Sequence, residues 1–484
     1  MSDFSELLNR FVRGRGISVT QLARSCGIHP PTLHQYMNGK RALHNDAELE
    51  SLSAALQLTP AEYEQLSEAY SVLQLGPERS AERRKIRWLL RSLPEIERRY
   101  GSVGVTPEFH PYEISHDYAV LRSETEIQAV LFSLFADALQ RGEELAVMLP
   151  PENELLYNLF LLLGHFPSES VIRHVICMEG GRCTGKITNI ERAYYVVQYS
   201  TSVARYTAGY YYGHPDERFG NESLMPGLIL TENSALRLSP DCRTAILFRN
   251  PEILRCYREQ FQRVEQLCRP LLTHQVTPLS LSTHHNDVLQ TDTILPLSRL
   301  ISGGLCASAF LTDEIIREYL NPEIPNCQEV LASLLELSRT VQAYKRARKT
   351  VIILNQESVR SFAQTGYLTE YPRLFMAKPL SKAHRRILLE KMLQACAEGW
   401  YQMIFLKNCV FPVKPHWDVG IMFRNILSIS VVSDTLSRDL RFNEQGVCRA
   451  FEDYFDDLST GRYALSPEET NAAIRQIIDE LLPC

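Results

Sequence analysis

The chain has 484 residues, of which 45% are hydrophobic and 22% charged, and its formal net charge is −6. Such a length divides into several domains of roughly 100–200 residues each, and the globular composition excludes a disordered chain, a collagen-like rod or a coiled coil. No stretch approaches the roughly 18 consecutive apolar residues of a membrane span; the richest, Leu155 to Leu163, carries Tyr157 and Asn158.

The opening MSDFSELLNRF has acids where a secretory leader needs a basic start, and the 12 cysteines are scattered without a CxxC. Both features point to a cytoplasmic protein with reduced thiols. The net charge hides an asymmetry: residues 1–100 hold 14 Lys/Arg against 12 Asp/Glu, so the remainder supplies the acidic excess. Between Glu6 and Asp46 there is no acid, while Arg10, Arg13, Arg15, Arg24, Lys40 and Arg41 fall in that interval. An acid-free basic window in an acidic protein is the charge pattern of a phosphate-binding face.

In chain order, a first helix is expected from Phe4 to Arg13. Ser18 followed by Gln21 is a capping-box pattern opening a short helix, SVTQLARSC, which Gly27 ends at a sharp corner. Pro30 and Pro31 open the next helix, where missing N–H donors cost nothing, and it runs through Met37 to Asn38-Gly39. Leu33 and Tyr36 are spaced to face a core, leaving Thr32, His34 and Gln35 for solvent or a ligand. Further helices are expected from Asp46 to Leu56 and, capped by Thr59, from Pro60 to Leu73.

Two helices locked at a glycine turn within a five-helix bundle form a helix-turn-helix. The segment QLARSCGIHPPTLHQYMNGKRAL resembles the lambda-repressor-like, or XRE, family of regulators, with Ala23 as its small residue, Gly27 as its turn glycine and Asn38 to Arg41 as its exit. The resemblance implies that the helix from Pro30 to Met37 enters the major groove. It places Pro31, Thr32 and Gln35 at base-facing positions with His34 alongside, and Gln35 is suited to adenine. Ser18, Asn38, Lys40, Arg41 and the N–H groups at both helix starts would hold phosphates. Gln21 and Pro30 complete the expected DNA-contacting set. Pro30-Pro31 replaces the polar pair of many relatives, which shifts the expected readout towards DNA shape.

Residues 77–100 form a basic helical connector, in which Ile86, Leu89, Leu90 and Leu93 make an apolar stripe for packing on the next domain. Supplementary phosphate contact by its arginines is a second option. Beyond residue 100 the alternation of helices with strands such as LAVMLP, VIRHVICM, GLILTE, TAILF and ILSISVVS is that of an α/β body. The fold class expected is therefore multidomain: an all-α head at 1–76, the connector at 77–100, a first α/β unit at 101–275, a helix-rich segment with one strand at 276–380, and a second α/β unit at 381–484.

The two α/β units share apolar patterns, as a duplication would. With Gly142 over Gly399, Leu131 matches Leu388, Phe135 Met392, Ala138 Ala395 and Val147 Ile404; with Phe261 over Phe455, Phe248 matches Phe442, Ile253 Val447, Tyr257 Phe451 and Val264 Leu458. A duplicated unit with strand-Asn-Pro-Glu-helix endings resembles the phospholipase D fold, including degenerate versions that serve as effector domains of regulators. Active members need a His-x-Lys motif in each half, and none of the 13 histidines has Lys two residues on, so the resemblance implies a body without phosphodiesterase chemistry.

Gly180, Gly185 and Lys186 have GxxxxGK spacing, but Ile187 stands where a phosphate loop needs Ser or Thr. The segment reads as a glycine-rich turn. His174, Cys177 and Cys183 lack paired ligand spacing, and strand alternation puts the first two on opposite faces, so no metal or cofactor is expected. Tyr194, Tyr195, Tyr199, Tyr206, Tyr210, Tyr211 and Tyr212 are expected to serve mainly as core.

The function expected is a sequence-specific DNA-binding transcriptional regulator without enzymatic activity. It would be a homodimer on a pseudo-palindromic double-stranded operator, with a body that dimerises or senses a small-molecule or protein effector. The alternatives are a nucleotide-binding hydrolase or an antitoxin-like interaction protein carrying a DNA-targeting head.

Overall fold

The computed structural model describes the chain except residues 1, 101–115, 164–168, 181–187, 203–204, 214–224, 276–296, 348, 377, 408–416, 423–425, 433–436, 461 and 484. Five helices form the head: α1 Asp3–Gly14, α2 Val19–Cys26, α3 Pro30–Met37, α4 Asp46–Ala55 and α5 Pro60–Leu75. Local signals set their ends. Ser2, Ser18, Asn45 and Thr59 each cap the helix that follows, and Thr59 and Glu62 complete a reciprocal capping box at Pro60. Phe4, Leu8, Leu22, Leu33, Tyr36, Leu49, Leu52 and Leu66 fill the core between them.

The connector is one helix, α6 Pro77–Tyr100. Its stripe of Ile86, Leu89, Leu90 and Leu93 is buried in the main core of the body, as its spacing predicts.

The body is built on a 14-stranded mixed sheet. Its strands are β1 Tyr118–Leu121, β2 Leu145–Met148, β3 Ile172–Glu179, β4 Tyr206–Gly213, β5 Gly227–Leu230, β6 Ala235–Leu238, β7 Ala245–Phe248, β8 Arg269–Gln275, β9 Leu297–Ser302, β10 Lys349–Leu354, β11 Tyr401–Phe405, β12 Trp417–Met422, β13 Ile426–Val432 and β14 Ser437–Phe442. The spatial order is β1-β7-β6-β5-β2-β3-β4-β8-β14-β13-β12-β9-β10-β11, which is one seven-strand order written twice. In each half three strands run parallel (β2-β3-β4 and β9-β10-β11). The other pairs in each half are antiparallel, and β4 joins β8 antiparallel across the seam.

Because the strand direction reverses at the seam, the two faces exchange roles. In the first unit α7 Glu124–Arg141, α8 Glu154–Leu163 and α9 Thr188–Ser202 cover one face, while α10 Pro251–Leu267 packs on the other through Leu254 and Phe261. In the second unit α11 Asp313–Tyr319, α12 Cys327–Ala347, α13 Gln356–Thr365, α14 Lys382–Glu398 and α16 Pro467–Leu481 cover the face opposite to α7–α9. There α15 Gln445–Leu458 returns to the α9 side, bringing Phe451, Tyr454, Phe455 and Leu458 into one core with α6 and α9.

The duplication corrects part of the sequence alignment. Matching Phe261 with Phe455 pairs β7–α10 with β14–α15, in agreement with the strand order. Matching Gly142 with Gly399 pairs β2 with β11, whereas the strand order makes β2 the counterpart of β9 and β11 that of β4. Residues 276–380, expected as a separate helix-rich segment with one strand, supply both β9 and β10 to the second half, and β8, while pairing with β4 across the seam, takes the place of β1 in that half by pairing with β14.

Candidate nucleic-acid interface

The recognition elements are held from below. The α2–α3 corner turns at Gly27, whose φ of 65° is left-handed. At the far end of α3, Gly39 N–H bonds to Tyr36 O (3.1 Å) and Lys40 N–H to Gln35 O (2.9 Å), the two bonds of a Schellman motif, with Gly39 at φ 66°. A Cβ on Gly39 would also stand 3.2 Å from Ser5 Oγ. Asn9 Nδ2 donates to Met37 O at 2.6 Å, tying α1 to the same exit. Tyr36 is fully buried and donates to Glu48 Oε2 at 2.9 Å. Burial and that carboxylate push its phenol up to about 12.

On this base, Pro31, His34, Gln35, Asn38, Lys40 and Arg41 are exposed, and Thr32 and Pro30 are half-buried. The structure thus brings the expected base-facing residues onto one open side of α3. Ser18 is exposed and its hydroxyl accepts from Gln21 N–H at 3.2 Å. Only this half of the expected capping box forms, and the Gln21 side chain stays at the surface.

The expectation that backbone N–H groups at both helix starts hold phosphates is corrected at α3. Pro30 and Pro31 have no N–H, and the N–H groups of Thr32 and Leu33 both bond to His29 O, at 2.9 and 3.0 Å. Only the α2 start keeps open donors for an anion, on Val19 and Thr20.

The basic window is also trimmed. Arg15 is paired with Glu62 at 2.6 Å, and Arg41 contacts His44 Nε2. Arg10, Arg13, Arg24, Lys40 and Arg41 form the exposed cationic set. Of these, Arg24 on α2 carries no local sequence signal that separates it from any other surface arginine.

Five of the connector's cations are paired with acids, Arg83 and Lys85 largely covered and Arg79, Arg84 and Arg91 exposed. Arg79 and Arg83 pair with Asp453, Arg83 also reaches Asp457 at 2.7 Å, Arg84 pairs with Glu68, Lys85 with Glu191 at 3.2 Å and Arg91 with Glu64 at 3.3 Å. Arg79, Arg83 and Lys85 tie α6 to the body, and Arg84 and Arg91 tie it to α5 of the head.

Residues 3–66 match the family model described as a helix-turn-helix domain. The head is a helix-turn-helix DNA-binding domain. The match begins in α1, ends within α5 and does not extend into the body. No curated protein matches the sequence.

Solved structures similar to the chain include TrmBL2, an archaeal chromatin protein. It is 9% identical, with 53% of this chain and 88% of that one covered, at a TM-score of 0.23. Phosphatidylserine synthase of Haemophilus influenzae is 11% identical, with 80% and 97% covered, at 0.22. Polyphosphate kinase of Porphyromonas gingivalis is 9% identical, with 75% and 55% covered, at 0.22.

The other motifs of the body resolve into structural roles or fall outside the described residues. His174 is buried and has both ring nitrogens engaged, Nδ1 with Tyr206 OH at 2.7 Å and Nε2 with Leu149 O at 2.8 Å. Since a carbonyl can only accept, Nε2 carries the proton and Nδ1 receives the phenol hydrogen. Cys183 and the Gly185-Lys186 part of the GxxxxGK spacing lie outside the described residues. Tyr194, Tyr199, Tyr206 and Tyr210 are buried core, Tyr195 and Tyr211 are half-buried, and Tyr212 is exposed and donates to Glu444 at 2.6 Å. No helix among the described residues is long and apolar enough to cross a membrane.

Proposed function

We propose that the protein is a cytoplasmic transcriptional regulator of the lambda-repressor-like (XRE) type. It binds a pseudo-palindromic operator as a homodimer, and its non-enzymatic body controls the helix-turn-helix domain in response to an effector. The observation that carries this reading is the open side of α3, with His34 and Gln35 exposed and Thr32 half-buried, on a helix whose buried side is locked by Leu33 and Tyr36 and whose exit presents Lys40 and Arg41. Side chains on α3 are placed to read base edges, and the cations beside them to neutralise phosphates. Ser18, Gln21, Pro30, Pro31 and Asn38 border the same side.

Dimerisation follows from the small footprint of one short helix, which two symmetric half-sites double. The non-enzymatic reading of the body is supported by the missing His-x-Lys motifs.

The test maps the bound DNA across the genome, then measures operator affinity with the Gln35→Ala/Arg41→Ala double variant. Loss of specific binding in the double variant supports the assignment, and wild-type affinity refutes it.

A further inference from the structure

At the junction of head and body, α5, α6 and α15 enclose a cleft of about 160 Å³ whose lining includes Ser67, Ser71, Ser80, Arg87, Trp88 and Tyr463. Its charges do not balance. Arg83, Arg84, Arg87 and Arg91 line it, with Glu64, Glu68 and Asp457 as the only lining acids among the described residues. Arg462 adds a fifth guanidinium by donating to Ser71 Oγ at 3.2 Å and to Ser67 O at 3.2 Å. Arg83, Arg84 and Arg91 each have a carboxylate partner.

The two cations in excess are Arg87 and Arg462. Arg87 donates only to phenols, to Tyr463 OH at 3.1 Å and Tyr454 OH at 3.4 Å. Arg462 stacks over the rings of Tyr463 and Tyr70, with centroids at 4.9 and 5.9 Å, and its Nε is buried without a hydrogen-bond partner. Here two half-buried guanidiniums, neither hydrogen-bonded to a carboxylate and both sharing the nearby charge of Asp457, stand with serine hydroxyls around a polar void. Among small molecules, a phosphate group matches this set: two charges, several acceptor oxygens and a geometry suited to the guanidinium fork. Trp88, 37% exposed, lines the cleft with Lys85 Nζ over its ring at 4.1 Å and Tyr194 packed against it at 4.5 Å, so its fluorescence reports on the cleft.

We propose that this cleft is the effector site of the regulator and that it takes a small phosphate-bearing molecule, either inorganic phosphate or a phosphate monoester. The inference rests on the regulator reading, since the ligand would join α5 of the helix-turn-helix domain to α6 and α15 and thereby set how the head is held on the body.

The test titrates the full chain at constant ionic strength with potassium phosphate, with AMP and with adenosine, following melting temperature and Trp88 fluorescence. Phosphate and AMP are expected to raise the melting temperature and change the fluorescence saturably, and adenosine to do neither. AMP binding tighter than phosphate identifies a monoester as the ligand; equal affinities identify phosphate itself. Arg87→Gln and, separately, Arg462→Gln should weaken binding at least about tenfold, as expected for loss of one charge-assisted contact.

If either variant fails to fold, the wild-type fluorescence titration, with Trp88→Phe to confirm the source of the signal, still decides. Absence of a saturable response at millimolar phosphate, or equal binding by wild type and folded Arg87→Gln, overturns the proposal. Operator binding in phosphate-free buffer is measured in parallel: if it persists while phosphate has no effect, the effector site alone is refuted, and if it is absent in every condition, the regulator reading fails with it.

Discussion

Arg83 on the connecting helix lies 2.7 Å from Asp457 on the helix that closes the second α/β unit, and both side chains are 14% exposed. With Asp453 held by the same guanidinium at 2.6 Å, this contact fixes the path from the DNA-binding head into the body. Arg83→Ala leaves Asp457 buried without its nearest countercharge and should cost about 3 kcal/mol in urea unfolding. The pair Arg83→Met with Asp457→Leu should recover most of that loss, because apolar replacement removes both desolvation penalties together. A double variant no more stable than Arg83→Ala would show that the ion pair itself, rather than the cost of an orphaned charge, sets the effect.

The exposed cations divide into groups with different expected salt behaviour. Lys40→Ala and Arg24→Ala should each weaken DNA binding evenly across sequences and reduce the slope of log affinity against log salt by about 1. Arg15→Ala should leave the slope unchanged, since Glu62 already neutralises Arg15. Fluorescence anisotropy on one operator and one unrelated duplex, at several salt concentrations, measures all three.

Much of the head was legible because its signals are short-range. A capping serine or threonine, a glycine at a corner and an Asn-Gly exit act within a few residues, so helix ends follow directly from the local sequence. The body was harder to read. The closing strand and helix of each unit carry matched core residues such as Phe248 and Phe442, and these aligned correctly. The helix-to-strand segments aligned through Gly142 and Gly399, which are both left-handed helix ends; any amphipathic helix stopped by glycine offers that match.

β4 was obscured by its tyrosines, and β9 and β14 by Arg299 and Arg441, which interrupt their apolar pattern. The junction cleft was not legible at all: Arg87 and Arg462 are distant in sequence, and only the docking of α6 beside Tyr463 brings them together.

Gly27 and Gly39 share the left-handed conformation but not the same surroundings. A Cβ at Gly27 meets nothing within 4 Å, whereas at Gly39 it would press on Ser5 Oγ at 3.2 Å. Gly27→Ala should therefore cost only the backbone term, about 1 kcal/mol. Gly39→Ala should cost more, about 2 kcal/mol, and should also weaken DNA binding by moving Lys40 and Arg41. Thermal unfolding of the two variants, paired with operator affinity, tests the ranking; an equal loss in both would show that Ser5 yields freely.

Buried His174 and half-buried Glu370 give the body opposing pH dependences. Burial lowers His174 from an ordinary 6.5 to about 4, against a weaker opposing effect of its bond to Leu149 O. The folded chain therefore keeps the ring neutral where the unfolded chain takes up a proton. Stability from this site is present above pH 6.5 and is lost as pH falls towards 4, by about 3 kcal/mol in all.

Burial raises Glu370 from 4.5 to about 7, with Lys345 opposing and Asp418 adding to the shift. Its protonated form is favoured on folding, so that contribution is complete below pH 4.5 and is lost as pH rises to 7. Because the windows overlap, the wild-type profile between pH 4.5 and 6.5 should be nearly flat, and single variants should expose each limb. Glu370→Gln should leave the His174 limb, with stability rising from pH 4.5 to 6.5. His174→Gln should leave the Glu370 limb, with stability falling over the same range, at an overall cost of about 2 kcal/mol for the altered bonds to Tyr206 and Leu149. Urea midpoints at half-unit pH steps give the three profiles, and variants whose slopes match the wild type would exclude these two groups as the source.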